Sequence, residues 1–333
     1  MNALVLTMGE PAGIGGEITL KAWLRRGEQV PDFFVVDDAD RLQAIAHALG
    51  MAVPVTRITE PAMAADVFSS ALPVLHQAIA RPVHPGRPDT ANASCVIASI
   101  ETAVSLTRSG HARAIVTNPI HKKTLYAAGF RHPGHTEFLA HLAGGSMAPV
   151  MMLVGPELRV IPVTVHVPLA DAIGALSTEA IVETGVIADT ALRRDFGLTS
   201  PRLAVAGLNP HAGEEKTIGH EDGEAIAPAV AALRDQGIDA FGPLSPDTMF
   251  SPRSRRLYDA ALCMYHDQAL IPLKTLDVDG GVNVTLGLPF VRTSPDHGTA
   301  FDIAGQGIAS ENSLISALRL ADALARRRAV GDS

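Results

Sequence analysis

Three histidines sit directly behind three apolar runs: His166 closes VIPVTVH, His211 closes LAVAGLNPH and His266 closes ALCMYH. One imidazole at the end of one strand is ordinarily a solvated or hydrogen-bonded side chain, and the chain has 13 histidines. Three at equivalent positions are a different matter. The gaps of about 50 residues each hold one crossover helix with its turns, and in open parallel sheets the carboxyl ends of the strands line the ligand crevice. Three neutral nitrogens gathered there suit one divalent cation, Zn²⁺ or Co²⁺ ahead of the oxygen-preferring Mg²⁺. Coordination positions would remain open for a substrate.

Groups suited to an anion lie near them in the sequence. Lys274 stands in HDQALIPLK, Asn283 in GGVNVTLG and Arg292 in LPFVRTSPDHG, while PGHTEF carries His135 and Thr136. Arginine offers a planar fork to a phosphate or carboxylate, and lysine a compact charge. A solvated side chain is the alternative for Lys274 and Arg292 taken singly. The apolar sequence around Arg292 argues against it there, because a charge in such a stretch needs a partner. Asp247, in GPLSPDTMF, either caps the helix that follows or orients a ligand histidine.

The first glycine-rich motif imitates a dinucleotide fingerprint. MGEPAGIGGE follows the strand Leu4–Thr7 and opens a helix that runs to about Arg25, after which Phe33–Val36 ends in Asp37 and Asp38. Gly13 and Gly15 supply the first pair of G-x-G-x-x-G and Asp37 the acid, but Ile18 occupies the third glycine's place. Glu10 and Pro11 stand where a phosphate-cradling turn wants small residues with free N–H groups. The alternative is a turn that lets a helix pack closely, with Glu10 aimed into a cleft.

The elements that position these groups alternate along the whole chain. Apolar runs at 4–7, 33–36, 114–117, 150–154, 160–165, 203–206, 261–265 and 282–286 read as strands. Stretches 91–108, 178–194, 221–235 and 313–328 have helical spacing, and Ser177 with Thr178 before Glu179 is a helix start. This alternation predicts an α/β protein with a largely parallel sheet. A length of 333 residues suggests about two domains. No low-complexity linker divides them, so they are expected to be intimately joined.

Composition excludes several classes. Lys and Arg number 27 against 35 Asp and Glu, for a net charge of −8, which argues against nucleic-acid binding. The two cysteines, Cys95 and Cys263, are far apart, so neither a disulfide framework nor a thiolate metal knuckle is expected. The N-terminal residues do not read as a signal peptide, and the longest apolar run, 148–156, is too short to cross a bilayer. The expectation is a cytoplasmic protein with no membrane partner.

The blocks MGEPAGIG, TNPIHKKTLYAAGF, PGHTEF, GLNPHAGE, YHDQALIPLK and GVNVTLGLPFVRTSPDHGTAFDIAG together resemble the 4-hydroxythreonine-4-phosphate dehydrogenase family of vitamin B6 biosynthesis, over residues 8–305. The resemblance implies two α/β/α domains with a cleft between them, of the isocitrate and isopropylmalate dehydrogenase type and not a Rossmann fold. The expected division is 1–135 plus 300–333 for the first domain and 136–299 for the second, with the dimerisation and metal-site segments in the second. It implies NAD or NADP as cofactor, a divalent metal (zinc first, cobalt or magnesium next) on His166, His211 and His266, and substrate contacts from His135, Thr136, Lys274, Asn283 and Arg292. Lys274, His135 and Asp247 are the candidate catalytic side chains, with the general base among Lys274, His135 and a metal-bound water. Members are homodimers whose active sites take groups from both subunits. Gly16 departs from the family, which usually has proline there, and this bears on loop stiffness.

The activity implied is the NAD(P)-dependent oxidation of 4-phosphohydroxy-L-threonine to 2-amino-3-oxo-4-phosphooxybutanoate, which decarboxylates to 3-amino-2-oxopropyl phosphate. Similar enzymes act on phosphorylated threonate or erythronate, or on aromatic dihydrodiols. From the residues alone, a three-histidine ion also suits a metal-dependent hydrolase or aldolase.

Overall fold

A computed structural model describes residues 2–144, 148–277 and 280–331. In chain order the strands are β1 (Leu4–Thr7), β2 (Phe33–Asp37), β3 (Val55–Ile58), β4 (Leu72–His76), β5 (Ile115–Val116), β6 (Val150–Val154), β7 (Arg159–Pro162), β8 (Arg202–Ala206), β9 (Asp239–Leu244), β10 (Ala260–Cys263), β11 (Val282–Leu286) and β12 (Arg292–Pro295). The chain forms two compact units, Met1–Pro149 with Leu288–Arg326 and Val150–Gly287 with Arg327–Ser333.

In the first unit the strand order is β3-β4-β2-β1-β5-β12, and the pairings β3–β4, β4–β2, β2–β1, β1–β5 and β5–β12 are all parallel. Parallel strands are covered on both faces and therefore read as unbroken apolar runs; every residue of β1 and β2 is buried. The helix Ala93–Arg108 packs on them with Val96, Ile100, Ala103 and Val104 buried, a stripe at helical spacing. Ser99, on the same helix, accepts from Met8 N and donates to Val36 O, tying the ends of β1 and β2 together.

In the second unit the order is β11-β6-β7-β10-β8-β9. β6 runs antiparallel to both β7 and β11, while β7, β10, β8 and β9 are mutually parallel neighbours. The helix Thr178–Arg194 starts as its sequence predicts, with the Ser177 hydroxyl accepting from Ala180 N.

The structure adds β3, β4, β9 and β12 to the strands that apolar runs predict. β12 is fully buried yet reads Arg-Thr-Ser-Pro, β3 is short and partly exposed, and β4 and β9 contain proline, so none carries the usual signal. The stretch expected as one helix over 221–235 divides into a π-helical turn, Asp222–Ile226, and an α-helix, Ala227–Asp235, with proline in the first turn of the latter. Pro228 has no N–H to give the preceding turn, which accounts for the break.

Candidate active site

The loops that carry the three histidines leave the carboxyl ends of β7, β8 and β10. Because β10 pairs in parallel with both others, all three loops emerge at one edge of the second unit. His166 and His266 come together there, with ring centroids 5.6 Å apart. At Zn–N distances near 2.0–2.1 Å, two imidazoles on one tetrahedral ion have centroids about 5 Å apart, so this pair fits a shared cation. The His266 Nδ1 is 2.7 Å from Asp267 Oδ1, which leaves Nε2 for a metal in the carboxylate–histidine arrangement that orients such ligands.

His166 holds φ 53° and His211 φ 54°, and His211 opens a left-handed run that continues through Lys216 with Gly213 as its only glycine. His211 is exposed. Among the described residues, no three His, Cys, Asp or Glu side chains within the chain are gathered into a metal-holding group. The structure thus joins two of the three histidines, and His211 does not complete the set within one chain.

Lys274 lies on the His266–Leu276 helix, two turns after His266, and both border a cavity of about 470 Å³ with Leu270 and Ile271. A second cavity of about 210 Å³ meets His166 and His266 from the side of Val167 and Leu169. Val167, Leu169, Ile173 and Ile271 are exposed apolar side chains. Asn283, on β11, has a shielded Oδ1 without a partner. Asp247 lies in the first turn of the helix Pro246–Met249, where its Oδ1 accepts from the Ser245 hydroxyl at 2.6 Å.

The first unit assembles a separate cluster. Arg292, buried at the start of β12, donates from Nε and Nη2 to Thr117 Oγ1 at 3.1 and 2.6 Å. Burial pulls its pKa down to about 10, which leaves it cationic at neutral pH. His135 and Thr136 open the helix His135–Ala143, whose N-terminus favours anions. The His135 Nε2 is shielded and unpartnered. Burial first, then the charges of Arg292 and Lys122, hold this imidazole well below its ordinary pKa, so it is neutral at pH 7. Lys122 Nζ packs against Gly134, where an added Cβ would lie 3.1 Å from it. The Glu137 carboxylate, 2.8 Å from the same Cβ position, shares the helix N-terminus with Lys122, so Arg292, the neutral imidazole of His135 and the helix N-terminus are what this cluster offers a phosphate or carboxylate.

Lys122, Thr117 and Asn118 are missed by reading residues singly. All three lie in TNPIHKK, and Asn118 donates to Thr7 O and Thr19 Oγ1 while its shielded Oδ1 has no partner. The glycine-rich loop packs against the same segment: Gly9, at φ 68°, leaves no room for a Cβ, which would meet Asn118 Cβ at 2.6 Å and Pro119 O at 2.8 Å. Glu10, raised in pKa by burial, accepts from Ala12 N. Asp37 is buried and bound by Arg41, so it does not serve as the acid of a dinucleotide fingerprint.

The sequence profile of the family described as pyridoxal phosphate biosynthetic protein PdxA matches residues 29–321. The chain belongs to the PdxA family. It is 56% identical to the 4-hydroxythreonine-4-phosphate dehydrogenase of Methylorubrum populi, covering 98% of this chain and 95% of that one. A crystal structure of 4-hydroxythreonine-4-phosphate dehydrogenase from Klebsiella pneumoniae matches with TM-score 0.88 at 38% identity, covering 98% of this chain and all of the other. A terephthalate 1,2-cis-dihydrodiol dehydrogenase from Burkholderia xenovorans matches at TM-score 0.65 and 26% identity, covering 97% of this chain and 98% of that one. These PdxA relatives are dehydrogenases by name, in keeping with an α/β fold that lacks the Rossmann fingerprint. No helix among the described residues is long and apolar enough to cross a membrane.

Proposed function

We propose that this chain oxidises 4-phosphohydroxy-L-threonine with NAD or NADP to 2-amino-3-oxo-4-phosphooxybutanoate, which loses carbon dioxide to give 3-amino-2-oxopropyl phosphate in pyridoxal 5'-phosphate biosynthesis. The observation that carries this reading, beyond the family, is the buried Arg292 beside the neutral His135, a pair suited to a phosphorylated substrate and poorly suited to an aromatic diol.

In this reading Arg292, with His135 and Thr136, takes the phosphate, and Lys274 and Asn283 make further substrate contacts. His166, His211 and His266 hold a divalent ion, zinc before cobalt or magnesium. Bound, such an ion supplies Lewis acidity to a substrate hydroxyl and to the enolate left by decarboxylation. The weak basicity of His135 favours hydrogen bonding over proton abstraction. The general base is then to be sought between Lys274 and a metal-bound water, with Asp247 an orienting carboxylate.

The protein acts as a cytoplasmic homodimer whose active site draws on both subunits. Two features support that arrangement: the exposed apolar residues Val167, Leu169, Ile173 and Ile271 beside His166, His266 and Lys274, and a histidine trio left incomplete within one chain. The test is a panel of 4-phosphohydroxythreonine, phosphothreonate, phosphoerythronate and an aromatic diol, each with NAD and NADP, read by nicotinamide reduction in the near ultraviolet. Rapid turnover of the first alone is expected. Preference for the diol, or release of product without nicotinamide reduction, would overturn the assignment.

A further inference from the structure

The registered strand pairs of the second unit stop short of the three histidine loops, and other groups hold those loops together beyond them. On one side of β10 the last pair is Cys263 with Pro162 of β7, and on the other Leu262 with Val205 of β8. Towards β7 the backbone goes on bonding: Val163 N donates to Cys263 O at 2.8 Å and Thr164 N to Met264 O at 3.3 Å. The Thr164 hydroxyl donates to the same Met264 O at 2.8 Å. Towards β8 a side chain takes over. Gln268 Oε1 accepts from Met264 N at 2.6 Å, and its Nε2 donates to Gly207 O at 2.7 Å.

The chemistry of that bridge suits glutamine. A carboxamide carries an acceptor and donors, as a peptide unit does, so it meets an N–H after β10 and a carbonyl after β8 at once. Partners of opposite polarity also fix which end is oxygen. Gln268 is buried, so a replacement that drops either bond leaves a backbone group without its partner. It stands in the first turn of the helix that His266 opens and reaches back to Met264, much as the glutamine of a capping box reaches back to the N-cap. The chain after β8 is held from other sides as well. Gly207 N donates to Leu244 O at 2.7 Å, and the Asp222 carboxylate accepts from Leu208 N and Asn209 N at 2.8 and 3.1 Å. The left-handed turn at His211 therefore starts from a backbone already fixed at Gly207, Leu208 and Asn209.

We propose that Gln268 is a positioning residue of the metal centre, whose carboxamide sets the offset between the loops that deliver His211 and His266, and that Thr164 sets the His166 loop against the same Met264. The inference rests on the reading of the three histidines as metal ligands. Both ends of Gln268 are engaged by backbone, so it acts on an ion through the loops it joins and not as a ligand.

The test strips the whole protein of metal with a chelator and titrates it with Co²⁺, read by the visible ligand-field absorption of the bound ion, with the melting temperature of the metal-free form measured alongside. Gln268→Met removes both bonds at similar side-chain length; it should weaken Co²⁺ binding about 10- to 100-fold and change the spectrum at saturation. Gln268→Glu keeps the acceptor for Met264 N but turns a carboxylate oxygen on Gly207 O, and should lose affinity in the same range. Thr164→Val is isosteric and keeps the Thr164 N bond, so it should fold where the buried replacements do not, and should weaken Co²⁺ by at least about threefold. His211→Ala and His266→Ala calibrate the loss of a ligand. Wild-type Co²⁺ affinity and spectrum in Gln268→Met, or in Thr164→Val where Gln268→Met does not fold, overturns the positioning role even if the melting temperature falls. The metal reading then stands, provided His211→Ala and His266→Ala have lost the ion. Unchanged Co²⁺ binding in both histidine variants overturns the metal reading, and the positioning role with it.

Discussion

Replacing Arg292 separates recognition of the phosphate from every other part of the reaction. Its guanidinium is buried and fixed by two hydrogen bonds to Thr117 Oγ1. Its charge persists to about pH 10. A hydrogen bond to a charged group contributes about 1.5–3 kcal/mol, and tenfold in an equilibrium constant corresponds to about 1.4 kcal/mol. Arg292→Met should therefore lower kcat/KM for 4-phosphohydroxythreonine by roughly 10- to 150-fold for each hydrogen bond to the phosphate that it removes. Arg292→Lys keeps a cation but not the fork, and should recover only part of that loss. The discriminating assay repeats both variants with unphosphorylated 4-hydroxythreonine, at saturating nicotinamide, by following reduced cofactor. The ratio of kcat/KM for the two substrates should fall by at least tenfold in Arg292→Met. Equal losses with both substrates would refute the reasoning, because the arginine would then be supporting the fold and not the phosphate.

Three further outcomes follow from the same geometry. His211→Ala should reduce bound metal and abolish turnover, and unchanged metal content by elemental analysis would remove His211 from the ligand set. His166→Gly relieves a left-handed backbone at φ 53°, so the metal-free protein should melt no lower than wild type while metal content falls; a clear drop in melting temperature without metal loss would make His166 a packing residue. His135 resists protonation in the folded chain, so below its ordinary pKa, near pH 6.5, the unfolded chain takes up a proton that the folded one refuses, and stability falls as pH falls. Denaturant midpoints between pH 7.5 and 5.5 should show this slope in wild type and a shallower one in His135→Gln; identical slopes would place the imidazole in water.

The parts of the fold that announce themselves are those whose burial is apolar. β1 and β2 are legible because parallel strands covered on both faces are built mostly from Leu, Val and Phe. β12 is as deeply buried and illegible, because its polar side chains are buried by hydrogen bonding, Arg292 to Thr117 Oγ1 and Thr293 to Ala317 O, and not by apolar packing. The histidine positions could be read as strand ends, and the parallel neighbours β7, β10 and β8 bear out their common edge. Lys122 could not be read, because it is an exposed lysine like its neighbour Lys123, and only the fold brings its Nζ beside Gly134. The fingerprint reads as defective from the sequence, and the structure shows what Ile18 does instead: its side chain is fully buried, where the fingerprint would put a glycine for close packing of helix on strand.

Backbone strain and candidate chemistry coincide in the second unit. Most residues at positive φ in this chain are glycines, which take that conformation without a Cβ penalty. His166 and His211 are not, and the run from His211 through Lys216 places five side-chain-bearing residues in left-handed geometry that costs roughly 1–2 kcal/mol each. Glycine would remove that cost and the imidazoles with it. Such conformations persist where surrounding structure or a ligand over-determines them. The two strained histidines follow β7 and β8, the strands on either side of β10, and His266, which follows β10 itself, needs no strain because it opens a helix. A cation held by all three rings would supply the free energy that the chain alone spends on those turns.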